Sequence, residues 1–414
     1  MPSQPPRARA ASISFILVTV FLDVLGMGLI IPVLPPLVGE FVDGARAQAT
    51  WYGLLVGGYG LAQFVAAPLL GALSDRFGRR PVLLLTLAGL GADFLLMALA
   101  GSLPVLMIAR LIGGATAATV SVASAYVADV TTPEHRARGF GMIGAMFGIG
   151  FVVGPVAGGL LGDVDLRWPF YAAAALTGLN VLYGAFVLPE SLPAERRTAF
   201  ALGRANPLSA LGEFLRTRGV GALAAVFTLA TLAQFVLHAT WVLYTGVRFG
   251  WGPRDAGLSL FAVGIAAVAM QGVLLGRLVR RYGERRVAIA GLVSGALSYP
   301  AYALVPQDWM VYPVIVGNLL GFAAVPAIQA LISQAFDPSK QGNAMGALNA
   351  ISGIATVVAP LAGTAIFAQV ATLPPGDPRM GATFYLSCAL QSLATLVALR
   401  AFARVPGGPG GASA

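Results

Sequence analysis

The stretch GALSDRFGRRP, Gly71 to Pro81, decides the architecture of this 414-residue chain. Charged residues make up only 10% of the chain, yet this stretch of eleven contains four of them: Asp75, Arg76, Arg79 and Arg80. It lies between two apolar runs, VGGYGLAQFVAAPLL and VLLLTLAGLGADFLLMALAG. About 20 apolar residues suffice to cross a bilayer, so the stretch indicates a short polar loop between two membrane-spanning helices.

The composition extends this interpretation to the whole chain. Hydrophobic residues make up 57% of it, which leaves too little polar surface to coat a soluble protein of this length. Apolar runs long enough to span a bilayer begin near residues 12, 50, 81, 104, 137, 168, 219, 255, 286, 309, 341 and 380. The sequence therefore predicts an all-α integral membrane protein with twelve transmembrane helices.

An internal repeat divides the twelve runs into two sets of six. An offset of 205 residues aligns Gly78 with Gly283, and the same offset aligns Pro155 with Pro360. A single offset over several landmarks indicates a parallel repeat, which is typical of transporters with two related halves. The longest polar connection falls between the sixth and seventh runs. The predicted domains are an N-terminal bundle at residues 1–187, a cytoplasmic linker at 188–218 and a C-terminal bundle at 219–414.

The distribution of basic residues predicts the orientation. With the N-terminus placed in the cytoplasm, 20 of the 26 Lys and Arg residues fall on the cytoplasmic side and five on the other, while Arg110 lies within a span. Cytoplasmic loops are enriched in Lys and Arg. We therefore expect a multi-pass protein of the cytoplasmic (inner) membrane with both termini inside. The net charge of +9 is then a topology signal and predicts no nucleic-acid partner.

Several spans carry motifs of one transporter family. GALSDRFGRRPVLL, from Gly71, resembles the loop between the second and third helices of the major facilitator superfamily. GIGFVVGPVAGGLLG resembles the fifth-helix motif of its drug:proton antiporters, with the motif residues Gly150, Gly154, Pro155, Gly158 and Gly159. LDVLGMGLIIPVLP and IARLIGGATAATVSVASAYVAD resemble the first and fourth helices of the tetracycline exporters. The resemblance covers nearly the whole chain and is strongest in its first half.

This resemblance implies the major facilitator fold, with two pseudo-symmetric six-helix bundles around a central site. It implies a proton-coupled antiporter that exports amphipathic drug-like molecules, including those of tetracycline type, by alternating access. The implied partners are a small-molecule substrate and the lipid bilayer, the implied state is a monomer, and a proton gradient takes the place of any cofactor. A proton-coupled importer of a small metabolite is the alternative, although the fifth-helix motif accompanies antiport in this family.

No enzyme is predicted. The sequence contains no nucleophile–base pair or P-loop, and its one cysteine, Cys388, excludes a disulfide framework. Its two histidines, His135 and His238, offer too few ligands for a histidine-based metal centre. We therefore expect neither a metal nor an organic cofactor.

Three charged residues within the spans are predicted to couple transport to protons: Asp23, Asp93 and Arg110. Asp23 lies about eleven residues into the first span, close to the bilayer midplane at about 1.5 Å per residue. A charge at that depth needs a polar cavity or a partner, and intramembrane acids typically mark proton pathways. Arg110 keeps its proton and so needs an acid nearby. The structural alternatives are helix–helix hydrogen bonds for the two acids and a snorkelling arginine.

The charged loop is predicted to act as a cytoplasmic gate. Its arginines anchor the topology, while Asp75 among them indicates a latch that holds neighbouring helix ends in the outward-open state. The two glycines are expected to shape a tight turn, and Asp129, near the end of the fourth span, is expected to pair with loop arginines. The predicted gate residues are Gly71, Asp75, Arg76, Gly78, Arg79, Arg80 and Asp129.

The second half offers mainly uncharged polar groups within its spans. The predicted substrate-cavity residues are Gln234, His238, Trp241, Gln271, Asn318 and Gln329. His238 is either a titratable group or a structural histidine. Tetracycline exporters carry an acid in the ninth helix, where this chain has Gly295, and a histidine in the eighth, where only Gln271 matches. The identity of the exported drug therefore stays open.

Overall fold

The structure, a computed structural model, describes residues 6–198, 212, 214, 220–337 and 341–403. Every regular element among these residues is helical. Twelve helices are long and apolar enough to cross a membrane, which confirms the predicted number of spans. Most of the predicted linker 188–218, and the ends of the chain at 1–5 and 404–414, lie outside the described residues, as does Lys340.

The first six spanning helices lie between residues 6 and 187. Their bounds are α1 Pro6–Ile30, α2 Ala45–Phe77, α3 Arg79–Leu99, α4 Leu103–Val130, α5 Pro133–Val164 and α6 Trp168–Val187. Helix α4 is interrupted at Ala117 and Ala118, between its segments Leu103–Thr116 and Thr119–Val130. The side-chain amide of Gln63 donates to the carbonyl of Ala117 at 3.4 Å. The bond satisfies a backbone carbonyl at the interruption of the helix. Within a membrane such a group needs a partner, because no water is available to bind it.

The second six helices lie between residues 221 and 403. Their bounds are α7 Gly221–Phe249, α8 Pro253–Tyr282, α9 Glu284–Leu304, α10 Asp308–Gln334, α11 Gln341–Val370 and α12 Pro378–Ala403. Helix α8 contains a π-helical segment at Ala269–Leu274. Helix α10 is interrupted after Gly317 and resumes at Gly321. Such irregular turns in spanning helices are often found at functional sites.

The chain divides into two compact units. Unit 1 comprises residues 1–206, 241–265 and 367–375, and unit 2 comprises residues 207–240, 266–366 and 376–414. In unit 1, α1 packs against α5, α2 against α4, and α3 against α6. In unit 2, α9 packs against both α10 and α12. The predicted domain boundaries at 187 and 219 stay a prediction.

Large apolar side chains cover the outside of several helices. Leu179 on α6 is 64% exposed, and Leu297 on α9 is 69% exposed. A soluble protein would bury residues of this kind, whereas lipid tails solvate them as well as a protein core does. These helix faces are therefore suited to contact with lipid.

The charged loop is tighter than the sequence indicated. Helix α2 continues to Phe77, so Gly71 is helical and the prediction that it shapes the turn is wrong. Ser74 donates a hydrogen bond to the Gly71 carbonyl at 2.8 Å, within that last turn. Gly78 alone separates α2 from α3, with φ of 106°, a backbone conformation that glycine adopts without a steric penalty.

Candidate functional site

The first bundle contains a buried ion pair between α3 and α4. The Nη1 atom of Arg110 lies 2.9 Å from Oδ2 of Asp93. Asp93 is fully buried, and Arg110 is only 8% exposed. The Asp93 Oδ1 and Arg110 Nε atoms have no hydrogen-bond partner within the described part of the chain. A buried pair that is only partly satisfied calls for an explanation beyond stability, because it gains less than it loses on desolvation.

Local sequence sets the position of this pair. Gly113 lies three residues after Arg110, on the same face of α4, and a side chain there would overlap the Asp93 carboxylate. The guanidinium of Arg110 lies over the ring of Tyr59 on α2, 4.0 Å from its centroid. Its Nη1 atom also lies 3.6 Å from the sulfur of Met97, one turn after Asp93. Helices α2, α3 and α4 together therefore hold one arginine in a mixed ionic and aromatic cage.

Asp23 lies in the same bundle, on α1. It is 4% exposed, and the side chain of Thr119 lies beside its carboxyl. Thr119 begins the second segment of α4, directly after the interruption, and its hydroxyl lies 3.3 Å from that of Thr86 on α3. The broken helix thus presents Arg110 before the break and Thr119 after it. Discontinuous helices of this kind form ion and substrate sites in many transporters.

The fifth-helix motif packs against the helix that carries Asp23. A side chain at Gly154 would collide with the backbone of Gly28 and with the Leu25 carbonyl, and one at Gly158 would collide with Leu29. Gly150 is similarly close to Val24. Glycines four residues apart therefore let α5 and α1 approach backbone to backbone.

The remaining motif residues lie on a second face of α5. Within unit 1, a side chain at Gly159 would meet the Pro253 carbonyl and the Cα atom of Gly257, both on α8. Pro155 lies inside the helix, so it removes one backbone donor where α5 passes α1. The motif therefore serves two close helix contacts, whereas its predicted role in antiport stays a prediction.

Replacing Gly154 by leucine is expected to abolish transport and to destabilise the protein by about 1 to 3 kcal/mol, because the side chain would press against the backbone of Gly28 and Leu25. Gly144→Leu is the matched control on the same helix, since no neighbouring atom lies within 4 Å of a Cβ placed at Gly144. Thermal melting of the two purified variants measures the difference. Equal melting temperatures would show that the α1–α5 contact is loose.

The predicted gate residues meet at the end of α2 and the start of α3. Arg79 bridges two acids, with Nη1 2.6 Å from Oδ1 of Asp75 and Nε 3.1 Å from Oδ2 of Asp129. Asp129 therefore pairs with a loop arginine, as the sequence predicted. Arg80 donates to the Ala185 carbonyl on α6, while Arg76 lies over the ring of Phe77. Whether this cluster gates transport stays a prediction.

Glu190, just after α6, is a member of this cluster that the sequence interpretation missed. Its Oε1 atom accepts the backbone N–H of Arg79 at 2.8 Å, and its Oε2 accepts that of Arg80 at 3.2 Å. The same carboxylate accepts the N–H groups of Ser191 and Leu192, each at 3.0 Å. A carboxylate in this position caps the positive end of α3. The signal that was available is the acid in PESLP, at the end of the sixth apolar run.

The predicted substrate-cavity residues fall in both units, and the cavity that they are expected to form stays a prediction. Trp241 belongs to unit 1, whereas the other five belong to unit 2. Trp241 is buried and donates to the Ser259 hydroxyl at 3.0 Å. The half-buried members are Gln234, His238 and Gln329. Gln271 is exposed and lies in the π-helical segment of α8.

Asn318 is the predicted residue with the most polar surroundings. It is 8% exposed, its Oδ1 accepts from the Ser294 hydroxyl at 3.3 Å, and its side chain is also hydrogen-bonded to Tyr302. Nearby on α9, Gly295 accommodates the side chain of Gln391 from α12. The position at which the resemblance implies an acid therefore faces a neutral amide instead. Within the described residues, no group of three or more His, Cys, Asp and Glu could hold a metal ion.

Twelve spanning helices, with a partly satisfied ion pair and a second acid buried in the first bundle, define a membrane transporter. Comparison with protein families gives the same result, because the model described as Major Facilitator Superfamily matches residues 16–360 and 223–414. The chain belongs to the major facilitator superfamily, and it is a multi-pass protein of the inner membrane. The fold and family predicted from the charged loop are thereby confirmed.

Individual relatives show which members of the superfamily the chain resembles. The class C tetracycline resistance protein of Escherichia coli is 43% identical over 377 residues, which cover 90% of this chain and 94% of that protein. The class G protein of Vibrio anguillarum is 40% identical over 373 residues, with the same coverage. A crystal structure of a bacterial homologue of the human lysosomal transporter Spinster, inward-facing and occupied, covers 98% of this chain and 100% of its own, with a TM-score of 0.77. At 15% identity that structure shows the fold alone.

Proposed function

We propose that this protein is a proton-coupled antiporter that exports amphipathic drugs of tetracycline type from the cytoplasm by alternating access. The observation that carries the proposal is the buried Asp93–Arg110 pair, which lies in the same bundle as the buried acid Asp23. Intramembrane acids of this kind are costly to keep unless they move protons or bind a charged ligand. The protein acts as a transporter and not as an enzyme.

The orientation and the state of the protein belong to the same proposal. Both termini lie in the cytoplasm, because that arrangement places most of the arginines inside. The protein works as a monomer without nucleic acid, and the proton gradient supplies the energy in place of a cofactor. Asp75, Arg79 and Asp129 then lie at the cytoplasmic end of the first bundle.

The ion pair suggests how a proton is coupled to a helix movement. Protonation of Asp93 removes the negative partner of Arg110, whose guanidinium stays charged and must find another acceptor or water. Protonation therefore favours a different arrangement of α3 and α4, the two helices that carry the pair. Protonation of Asp23 acts on α1 in the same way, and α1 is held against α5 by the motif glycines. Outside protons thus favour drug uptake from the cytoplasm, and the return movement releases the drug outside.

Tetracycline is proposed as a substrate because two relatives of at least 40% identity are tetracycline resistance proteins. The departure at Gly295 concerns how the drug is held, because Gln391 offers an amide where those exporters carry an acid. An amide can hydrogen-bond a drug but cannot neutralise a cation that the drug chelates. A proton-coupled importer of a metabolite is not favoured by these relatives.

Replacing Asp23 by asparagine is expected to abolish drug-driven proton release, because the variant cannot take up a proton at that position. Everted vesicles acidified by respiration report this release as recovery of a pH-sensitive fluorescence when tetracycline is added. Asp43→Asn, at an exposed acid outside the spans, is the control and should release protons like the wild type. Normal exchange by Asp23→Asn would exclude Asp23 as a proton carrier.

The same vesicles separate the substrate from the mechanism. Amphipathic drugs are added to the vesicles one at a time, and proton release is measured for each. In parallel, the susceptibility of an efflux-deficient host that expresses the protein is measured for the same drugs. Release by another drug but not by tetracycline would retain the antiporter and exclude tetracycline. Uptake of a nutrient by whole cells that an uncoupler abolishes, with no drug-driven release, would contradict export and favour the importer.

A further inference from the structure

Unit 2 contains a cavity of about 670 Å³ at the end of the bundle where α9 begins. Residues from five helices line it, at the starts of α7 and α9 and at the ends of α8, α10 and α12. In the orientation proposed above, this end lies at the cytoplasmic surface of the membrane. The cavity therefore opens where lipid headgroups meet the protein.

The lining combines positive charge with an apolar wall. Arg285 and Arg286 line one side, and the Arg285 guanidinium lies over the ring of Phe402, 5.6 Å from its centroid. Leu223 and Leu331, together with Phe402, supply apolar surface. A cavity of this kind is complementary to an amphipathic molecule with an anionic head, and basic pockets at this depth bind phospholipid headgroups in other membrane proteins.

The acid in the lining is already engaged. Among the described lining residues, Glu284 is the only acid, and its Oε1 accepts a hydrogen bond from Gln334 at 3.1 Å. The lining therefore carries a net positive charge from its two arginines and one carboxylate. Arg280 and Arg281, on the last turn of α8, add to the positive potential without lining the cavity.

The start of α9 corresponds to the start of α3 in the first half of the chain, where a carboxylate is bound. Gly78, with φ of 106° and ψ of 159°, precedes α3, and the Glu190 carboxylate lies against the first two N–H groups of that helix. Gly283, its counterpart at an offset of 205, has nearly the same conformation, with φ of 80° and ψ of 157°. There, no heavy atom of the described residues lies within 4 Å of a Cβ placed on the glycine. A carboxylate occupies the first position, whereas at the second the first turn of α9 carries its own acid, Glu284, and the space beside the glycine is open to the cavity.

We propose that this cavity binds the headgroup of an anionic phospholipid of the inner leaflet. Arg285 and Arg286 hold the phosphodiester near the positive end of α9, and the acyl chains run along Leu223, Leu331 and Phe402. The phosphodiester thereby takes a place at the start of α9 like that of the Glu190 carboxylate at the start of α3, and it does so beside the acid Glu284. The proposal depends on the orientation given under the proposed function but on neither the drug nor the proton pathway.

The test is retention of lipid by the purified full-length protein, measured by native mass spectrometry in detergent. Phosphatidylglycerol and phosphatidylcholine with the same acyl chains are added in equal amounts. The wild type should retain phosphatidylglycerol preferentially, and the R285Q/R286Q variant should retain it roughly 25-fold less, because each arginine near the surface contributes about fivefold and the two factors multiply. R280Q/R281Q removes the same charge from the neighbouring turn, outside the cavity, and should therefore lose clearly less lipid than R285Q/R286Q. Ala335→Trp fills the cavity without a charge change and should also lose the lipid.

Each other outcome overturns the proposal. Equal losses in the two arginine variants would mean that only the total charge matters. Displacement of phosphatidylglycerol by millimolar inorganic phosphate would assign the cavity to a free anion, and equal retention of both lipids would exclude charge recognition. Melting temperatures without added lipid check that the variants fold. Because this assay contains no drug and no gradient, a wild-type protein that shows no preference for phosphatidylglycerol but normal drug-driven proton release contradicts only this proposal.

Discussion

Replacing Arg110 by methionine is expected to lower the free energy of unfolding by about 3 to 5 kcal/mol and to abolish drug-driven proton release. The cause is the Asp93 carboxylate, which would remain fully buried without an opposite charge. Methionine keeps the length of the side chain, so the loss comes from the charge and not from a cavity. Thermal melting in detergent measures the first effect, and acidified everted vesicles measure the second.

The double variant Asp93→Asn with Arg110→Met separates stability from transport. Removing both charges of a buried pair is often neutral for stability or even stabilising, because both desolvation penalties disappear. We therefore expect the double variant to melt close to the wild type while it still fails to release protons. A variant that is stable and inactive assigns the pair to proton coupling. Proton release at more than half the wild-type rate would instead show that the pair only joins α3 to α4.

Arg167→Met is the control for the removal of an arginine from an ion pair. Arg167 lies 2.9 Å from Glu40, and both side chains of this pair are about one-third exposed. An exposed pair contributes less than about 1 kcal/mol. We therefore expect Arg167→Met to change neither the melting temperature nor the proton release measurably. A loss like that of Arg110→Met would mean that the burial of the Asp93 pair is not what makes it important.

The fold could be predicted from the sequence because the bilayer imposes simple rules. About twenty apolar residues make a span, so the number of spans could be counted from the sequence. The orientation that the arginines indicate and the division at the repeat of Gly78 and Gly283 stay predictions. The turn at Gly78 was more difficult to place. Gly71 resembles a turn glycine in the sequence, but the apolar run continues through it, and helix propensity in a membrane outweighs a single glycine.

The charged residues of the site could be predicted from the sequence, but the contacts between them could not. Charged residues within a span are rare, so Asp23, Asp93 and Arg110 were identifiable one by one. That Asp93 and Arg110 touch depends on Gly113, whose role as a space for the carboxylate shows only in three dimensions. Thr119 was missed for a related reason. The interruption of α4 that places it beside Asp23 contains two alanines and no proline, and alanine is the strongest helix former.

Replacing Glu190 by glutamine is expected to lower the free energy of unfolding by about 2 to 3 kcal/mol and to weaken drug-driven proton release. The carboxylate accepts four backbone N–H groups, and hydrogen bonds to a charged acceptor contribute about 1.5 to 3 kcal/mol each. Glutamine keeps one acceptor oxygen in place of Oε1, but its NH₂ group cannot accept the remaining hydrogen bond, that of the Arg80 N–H. The positive end of α3 also loses its counter-charge. Melting temperature and amide hydrogen exchange at Arg79 and Arg80 measure the loss.

Transport should suffer as well, because the cap and the gate cluster share residues. Ser191, whose N–H the carboxylate binds, also donates its hydroxyl to Asp129 at 3.3 Å, and Asp129 accepts from Arg79. Loosening Glu190 therefore loosens the end of α6, the start of α3 and the end of α4 together. Glu195→Gln is the matched control, since Glu195 is an exposed acid only five residues further on. If the two glutamine variants melt, exchange and transport alike, the carboxylate of Glu190 does not hold this end of the bundle. If Glu190→Gln exchanges faster at Arg79 and Arg80 but transports normally, the cap stabilises α3 without taking part in the gate.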